Sequence, residues 1–232
     1  MTEKWPAPAS VSISEAIDNP PLPLGLILAG GLGSRMGTPH KPLLKLAGQT
    51  ILQHIIDNAH LQTKGLILNV NQDPALFSTY GLPLLTDEPE LMAGPLRGIY
   101  SALKLINQTY HLTRKPPLLA CFPGDTPWFP GNIVVLMQEA IRSNNTEIAW
   151  LQTDGQTQPL FSLWSPTLEQ PLLEALQAGE FSPRRFIETR KHSLVVLQGL
   201  PPHQFYNIND RESLRLAGSL FASACDPGLI KK

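Results

Sequence analysis

Between Leu26 and Gly48 the chain reads LILAGGLGSRMGTPHKPLLKLAG, crowding Gly30, Gly31, Gly33 and Gly37 around Arg35 and following them with Lys41. Glycines let a backbone come close to a ligand and reach conformations closed to other residues. Successive N–H groups in such a loop can form a concave anion nest. Arginine adds a planar fork for phosphate oxygens and lysine a mobile point charge. A nest with two cations suits a triphosphate. The plain alternative is a tight glycine turn with two solvated basic side chains. Two other phosphate-binding patterns fail on their own requirements. A dinucleotide fingerprint needs a helix starting at the glycines and an acid at the end of the second strand. Here Pro39 and Pro42 block an immediate helix, and the second strand ends in Asn69 and Asn71. A P-loop needs a Gly-Lys pair, and the chain has none.

The loop needs a sheet edge to stand on, and the flanking pattern supplies one. Leu24–Leu28 reads as a buried strand bounded by Pro23 and Gly30. Thr50 is a plausible N-cap for a helix with Ile51, Leu52, Ile55, Ile56 and Ala59 on one face. Strands are expected at Gly65–Val70, Leu84–Thr86, Leu118–Phe122 and Glu147–Leu151, and helices through Leu96–Ile106 and Ile133–Ile141. That alternation predicts a parallel sheet covered by helices, an α/β fold whose ligands bind beyond the carboxyl ends of the strands. Past Asp154 the order loosens. Pro159–Trp164 alternates like a strand with one exposed face, and Leu168–Leu176 reads as a helix stopped by Gly179. Ser182-Pro183 opens a short helix to about Arg190, and Leu194–Leu197 is a strand. Asp210 caps a final helix through Leu220. The expected division is a flexible, Pro- and Ser-rich leader over residues 1–23, with a short helix at Ser12–Ile17, a single folded domain over 24–222 and a loose tail over 223–232.

Composition narrows the function classes. The 232 residues carry 18 basic and 19 acidic side chains, a formal net charge of −1, which argues against a broad basic surface for nucleic acid. An anionic ligand must then be met by a few local groups. Two cysteines, Cys121 and Cys225, supply neither a disulfide framework nor a zinc cage, and a reducing cytoplasm is the simplest setting. Cys121 reads as core packing. No apolar run reaches membrane-spanning length, so no membrane association is expected. The six histidines lack metal-ligand spacing, and His54 reads as helix surface.

The glycine loop and its lysine resemble the LAGGxSxRMGxxK signature of the α/β nucleotidyltransferases, and further blocks resemble the molybdenum cofactor guanylyltransferases among them. These are LNVNQD (Leu68–Asp73), TDE (Thr86–Glu88), GPLRGIYSAL (Gly94–Leu103), GDTPWFP (Gly124–Pro130), QPLFSLW (Gln158–Trp164) and NIND (Asn207–Asp210). They span roughly residues 24–215. The resemblance implies a single-domain, three-layer α/β/α sandwich around a mostly parallel, Rossmann-like sheet of the nucleotide-diphospho-sugar transferase type. It implies that the terminal phosphate of molybdopterin attacks the α-phosphorus of GTP, giving the dinucleotide cofactor and pyrophosphate with Mg²⁺ as cofactor. Transient contacts with the cofactor-donor protein and with recipient molybdoenzymes would accompany it.

Roles carried over residue by residue are physically sensible. Arg35, Lys41 and Asp125 form the catalytic set: Arg35 meets the β and γ phosphates, Lys41 neutralises developing charge, and Asp125 ligates Mg²⁺. Leu28, Ala29, Gly30 and Gly31 supply backbone groups to the nucleotide. Asn69 reaches ribose or base, while neighbouring Asn71 serves equally as an Asx-turn residue. Asp87 accepts from guanine N1–H and the exocyclic amine, or from the ribose. Gly94, Pro95 and Leu96 form a rigid helix entrance able to receive an anionic or carbonyl oxygen. Asn209 lies near the metal or caps the last helix, with Asn207 beside it. Trp164 and the Arg184-Arg185 pair are candidates for the pterin side, by stacking and by phosphate binding. The chain departs from many members at His40, where they carry Asp, and at Gln158, where some carry His. Two other functions fit the same loop: cytidylyl transfer to molybdopterin or nucleotidyl transfer to a sugar or polyol phosphate, and a nucleotide-binding regulator without chemistry. Joint retention of Arg35, Lys41 and Asp125 speaks against the regulator.

Overall fold

The computed structural model describes residues 21–30, 40–91, 94–112 and 115–225. The leader helix at 12–17, the loop residues Gly31, Gly33, Arg35 and Gly37, and the tail beyond 225 lie outside the described residues. Strand β1 (Leu24–Leu28) is followed by a small hairpin of β2 (Lys45–Leu46) and β3 (Gln49–Thr50), helix α1 (Ile51–His60), β4 (Gly65–Asn69) and β5 (Leu84–Leu85). Then come α2 (Pro95–Thr109), β6 (Leu119–Pro123), α3 (Ile133–Asn144), β7 (Ile148–Thr153) and β8 (Gln156–Trp164). The chain closes with α4 (Glu169–Gln177), α5 (Pro183–Glu188), β9 (His192–Leu197) and α6 (Arg211–Cys225). No helix among the described residues is long and apolar enough to cross a membrane.

Seven strands form one sheet in the order β5-β4-β1-β6-β8-β7-β9. Successive side chains on a strand point to opposite faces, and both faces are buried here. Ile27, Leu66, Leu68, Ala120, Phe122, Ala149 and Leu151 pack with α1, α3 and Ala217 of α6. Leu24, Leu26, Ile67, Leu119, Cys121, Ile148 and Trp150 pack with α2, α4 and α5. The result is the expected three-layer sandwich. Caps behave as the residue types suggest. Gln53 N donates to Thr50 Oγ1 at 3.1 Å, opening α1, and Arg185 N donates to Ser182 Oγ at 3.3 Å, opening α5 behind Pro183.

One feature of the sheet decides where a ligand can sit. β1 pairs in parallel with β4 and with β6, and Leu28 is level with Asn69 on one side and Pro123 on the other. Three exit loops therefore leave at one height. β1 is also where the strand order reverses direction, the position at which open α/β sheets form a ligand crevice.

The second half corrects two expectations. β8 is an interior strand, antiparallel to both β6 and β7, and Phe161, Ser162, Leu163 and Trp164 are all buried. Its apparent exposed-face alternation is interrupted by an irregularity: Trp150 pairs with Ser162, but Leu151 pairs with Gln158. Pro159 falls in the skipped stretch, where a missing N–H costs no ladder bond. β9 begins at His192 rather than Leu194 and pairs in parallel with β7 at the sheet edge.

Candidate active site

The level ends of β1, β4 and β6 are laced together by their own backbone. Ala29 N donates to Asn69 O and Gly124 N to Leu28 O, each at 3.0 Å. The Leu28 carbonyl and the Ala29 N–H are thereby engaged. A Cβ at Gly30 would lie 2.6 Å from Asn71 Nδ2, so a side chain there would push the Asn71 amide off Asp87. The backbone of Leu28, Ala29 and Gly30 thus forms a thin floor between Asn69 and Gly124.

Lys41 enters from a short 3-10 turn, Lys41–Leu43, in which Leu44 N returns to Lys41 O. Its ammonium donates to Asp125 Oδ2 at 2.9 Å and to Asn209 Oδ1 at 3.2 Å. Asp125 follows β6 directly, and Thr126 Oγ1 donates to its Oδ1 at 3.3 Å. Residues separated by 84 and 168 positions in sequence are brought to one point. Asn209 arrives because segment 205–209 lies along the loop after β6: Phe205 N donates to Trp128 O at 2.8 Å and Ile208 N to Asp125 O at 2.9 Å. Asn209 does not cap the last helix. Asp210 does, with Oδ1 accepting from Ser213 N at 2.7 Å, and that bond holds its carboxyl below the usual range.

Asp87 heads a second cluster. Its side chain is only 4% exposed. Oδ1 accepts from Asn69 Nδ2 at 2.7 Å. Oδ2 accepts from Asn71 Nδ2 and from Arg97 Nε, both at 2.8 Å. Asn71 Oδ1 in turn accepts from Asp87 N at 2.9 Å, so Asn71 braces Asp87 rather than closing an Asx turn of its own. Arg97 escaped the sequence reading, although a signal was available. It stands in the first turn of α2, a turn with no acidic residue, where the helix dipole disfavours a cation. Such a cation needs a carboxylate partner, and Asp87 is it. Gly94 is the N-cap and Pro95 the first residue of α2, whereas Leu96 is fully buried and has only backbone to offer a ligand.

Other expectations are redirected. The Trp164 ring is fully buried, stacked on Phe186 at 5.7 Å, and its indole N–H donates to Ser162 Oγ at 2.8 Å. A ring enclosed on all sides cannot stack on a pterin. Arg184 and Arg185 are exposed and paired with Glu188 and Glu180 on their own helix and its approach. His54 is not surface: its Nε2 bonds Leu46 O at 2.9 Å, and its ring packs against Trp128 and Phe221. His40 Nε2 meets Asp73 Oδ2 at 3.0 Å. Cys121 is fully buried, and that burial pushes its thiol far up, so it is core as expected.

The donor set can be weighed against a metal. Among the described residues no three His, Cys, Asp or Glu side chains converge. Asp125, with Asn209 Oδ1 across Lys41, is a sparse oxygen set. That suits Mg²⁺, which takes one or two carboxylates and fills its shell with phosphate oxygens and water. It does not suit zinc, which wants three or four nitrogen or sulfur ligands.

Comparison with known proteins identifies the family. The sequence model of the MobA-like NTP transferase domain matches residues 25–194. A molybdenum cofactor guanylyltransferase of Bradyrhizobium sp. (strain ORS 278) is 34% identical over 85% of this chain and 92% of its own. One from Rhizobium meliloti (strain 1021) is 36% identical over 84% and 90%. The crystal structure of molybdopterin-guanine dinucleotide biosynthesis protein A from Archaeoglobus fulgidus superposes with a TM-score of 0.69, at 18% identity, over 86% of this chain and 99% of that one, a likeness of fold. With matches of this extent, the chain belongs to the MobA-like NTP transferase family, among the molybdenum cofactor guanylyltransferases.

Proposed function

We propose that the chain transfers GMP from GTP to molybdopterin with the aid of Mg²⁺, forming the guanine dinucleotide cofactor and releasing pyrophosphate. The terminal phosphate oxygen of molybdopterin forms the new bond to the α-phosphorus, and the bond to the β-phosphate oxygen breaks. The observation that carries the reading is the meeting of Lys41, Asp125 and Asn209 at the level ends of β1 and β6. Phosphoryl-type transfer demands positioning and charge stabilisation more than covalent chemistry. Asp125, with Asn209 beside it, would hold the metal, which supplies charge neutralisation on the phosphates when bound. Lys41 passes its ammonium from Asp125 to the triphosphate, where it stabilises the charge of the departing pyrophosphate. Arg35 reaches the β and γ phosphates, and Gly30 with Gly31 lets them approach the backbone. Asn69 and Asp87 hold the nucleoside, and Gly94-Pro95-Leu96 presents the start of α2 to the ligand. The proposed setting is the cytoplasm, with the donor and recipient proteins of the cofactor as transient partners.

The test is incubation with molybdopterin, Mg²⁺ and each nucleoside triphosphate in turn, following pyrophosphate. GTP is expected to turn over and CTP and ATP to lag far behind. Asp125→Ala is expected to abolish turnover while melting like the unaltered chain. A preference for CTP overturns the guanylyl reading, and full turnover by Asp125→Ala at saturating Mg²⁺ removes that residue from the metal site.

A further inference from the structure

A free carboxylate offers two oxygens and about four acceptor positions, enough to grip two N–H groups side by side. Asp87 does not have that freedom. Oδ2 already receives Asn71 Nδ2 and Arg97 Nε, both at 2.8 Å, which uses its two lone pairs. Among the described residues, Oδ1 receives only Asn69 Nδ2, at 2.7 Å. Arg97 is itself tied down, since its Nη1 donates to Leu91 O at 2.6 Å and its side chain is 15% exposed. The guanidinium therefore ties Asp87 to Leu91 within the stretch between β5 and α2, while Asn69 ties Asp87 to the end of β4.

We propose that Arg97 is a positioning residue that pins the Asp87 carboxylate through Oδ2, so that Asp87 offers the nucleoside one acceptor, the open side of Oδ1, and not a two-oxygen fork. The ligand group it meets is a single donor: one ribose hydroxyl or one ring N–H. Asp87 then has no second oxygen with which to accept from N1–H and the exocyclic amine of guanine together, and discrimination for that amine is assigned to other groups. This rests on the guanylyl reading above and sharpens it.

The experiment measures equilibrium binding of GTP, ITP and 2′-deoxy-GTP, with Mg²⁺, to the unaltered chain and to Asp87→Ala, Arg97→Ala and Arg97→Lys, with thermal melts and steady-state kinetics alongside. ITP differs from GTP only in lacking the exocyclic amine. Asp87→Ala is expected to weaken GTP and ITP by the same factor. Weaker binding of 2′-deoxy-GTP than of GTP by the unaltered chain, with no further loss on Asp87→Ala, identifies the 2′-hydroxyl as the donor; an undiminished effect of Asp87→Ala on 2′-deoxy-GTP assigns the contact to another single donor. Arg97→Ala is expected to raise Kd and KM for GTP about tenfold, the equivalent of about 1.4 kcal/mol, with a smaller fall in kcat. Arg97→Lys keeps the charge but not the two-pronged link, and is expected to recover part of that loss. The inference is overturned if Asp87→Ala weakens GTP at least fivefold more than ITP. It is equally overturned if Arg97→Ala binds GTP like the unaltered chain, or if Arg97→Lys melts normally yet binds no better than Arg97→Ala. Absence of pyrophosphate from the unaltered chain with GTP would instead refute the guanylyl reading, so the two failures are distinct.

Discussion

Gly124 is the residue on which the site geometry is most sharply testable. It stands between β6 and Asp125, and its N–H holds Leu28 O at 3.0 Å. A Cβ at this position would lie 2.6 Å from Leu28 O and 3.0 Å from Ala29 Cα. Favourable carbon contacts fall near ~3.5–4.0 Å, so the methyl group has to move something. Both obstructing atoms are backbone, and no rotamer change relieves them. Gly124→Ala must therefore spread the exits of β1 and β6, at the overpacking cost of about 1–3 kcal/mol. For a chain of this length each kcal/mol lowers Tm by about 2–4 °C, so a fall of roughly 2–12 °C is expected. Turnover should suffer more than stability. Asp125 is the next residue, and a shift of about 1 Å in a reacting constellation costs on the order of 10²-fold. The assay pairs thermal melts with pyrophosphate release. Gly131→Ala is the control, because a Cβ there meets nothing nearer than Asn58 Oδ1 at 3.9 Å. If Gly124→Ala melts within about a degree of the unaltered chain and turns over normally, the strand ends are not packed as described.

Lys41→Ala should lower kcat by on the order of 10²–10³-fold, the scale for losing one preorganised charge donor, whereas Lys45→Ala, exposed on β2, should leave pyrophosphate release nearly unchanged; equal losses would contradict the phosphate role of Lys41. Asp210→Ala should destabilise α6 through loss of the cap on Ser213 N. Because the folded pKa of Asp210 is depressed, its contribution is present above the unfolded value near ~3.9 and is lost as pH falls through the folded value. The Tm gap between Asp210→Ala and the unaltered chain should accordingly narrow as pH falls through the folded value; a gap unchanged from neutral to strongly acid pH would show that the charged carboxylate is not what caps the helix.

Strand ends are the most legible places in a parallel sheet, because an apolar run that stops at glycine or proline marks both the end of the strand and the ligand edge. Leu28-Ala29-Gly30 and Pro123-Gly124-Asp125 show such stops, Asn69 closes β4 without one, and the level pairing of β1 with β4 and β6 brings all three strand ends together. Thr50, Ser182 and Asp210 were readable as caps because their chemistry is local. What could not be read depends on partners far away in sequence. Trp164 looked available for stacking until β8 proved to be interior. His54 looked like surface on a helical wheel, yet its neighbours come from β2, the loop after β6 and α6. The Asp87–Arg97 pair spans two elements, and only the electrostatic awkwardness of an arginine in a helix's first turn hinted at it.

The position of Asn209 shows how the end of the chain completes a site founded at its start. The matched family domain stops at residue 194, short of the segment that carries Asn209. That segment begins at Phe205, whose φ of 58° is costly for a bulky residue. Two contacts hold it there: its ring meets Phe161 edge-on at 4.9 Å, and its N–H reaches Trp128 O. The bend sends residues 206–209 back along the loop after β6, where Ile208 N finds Asp125 O and Ile208 itself is fully buried. Asn209 is thus registered against the same residue whose carboxylate Lys41 holds. A shift of the C-terminal segment cannot leave Asp125 undisturbed, because the backbone bond and the Lys41 bridge share that residue. The C-terminal segment thus meets Lys41 and Asp125 through geometry, although it lies beyond residues 25–194, the stretch that the family model matches.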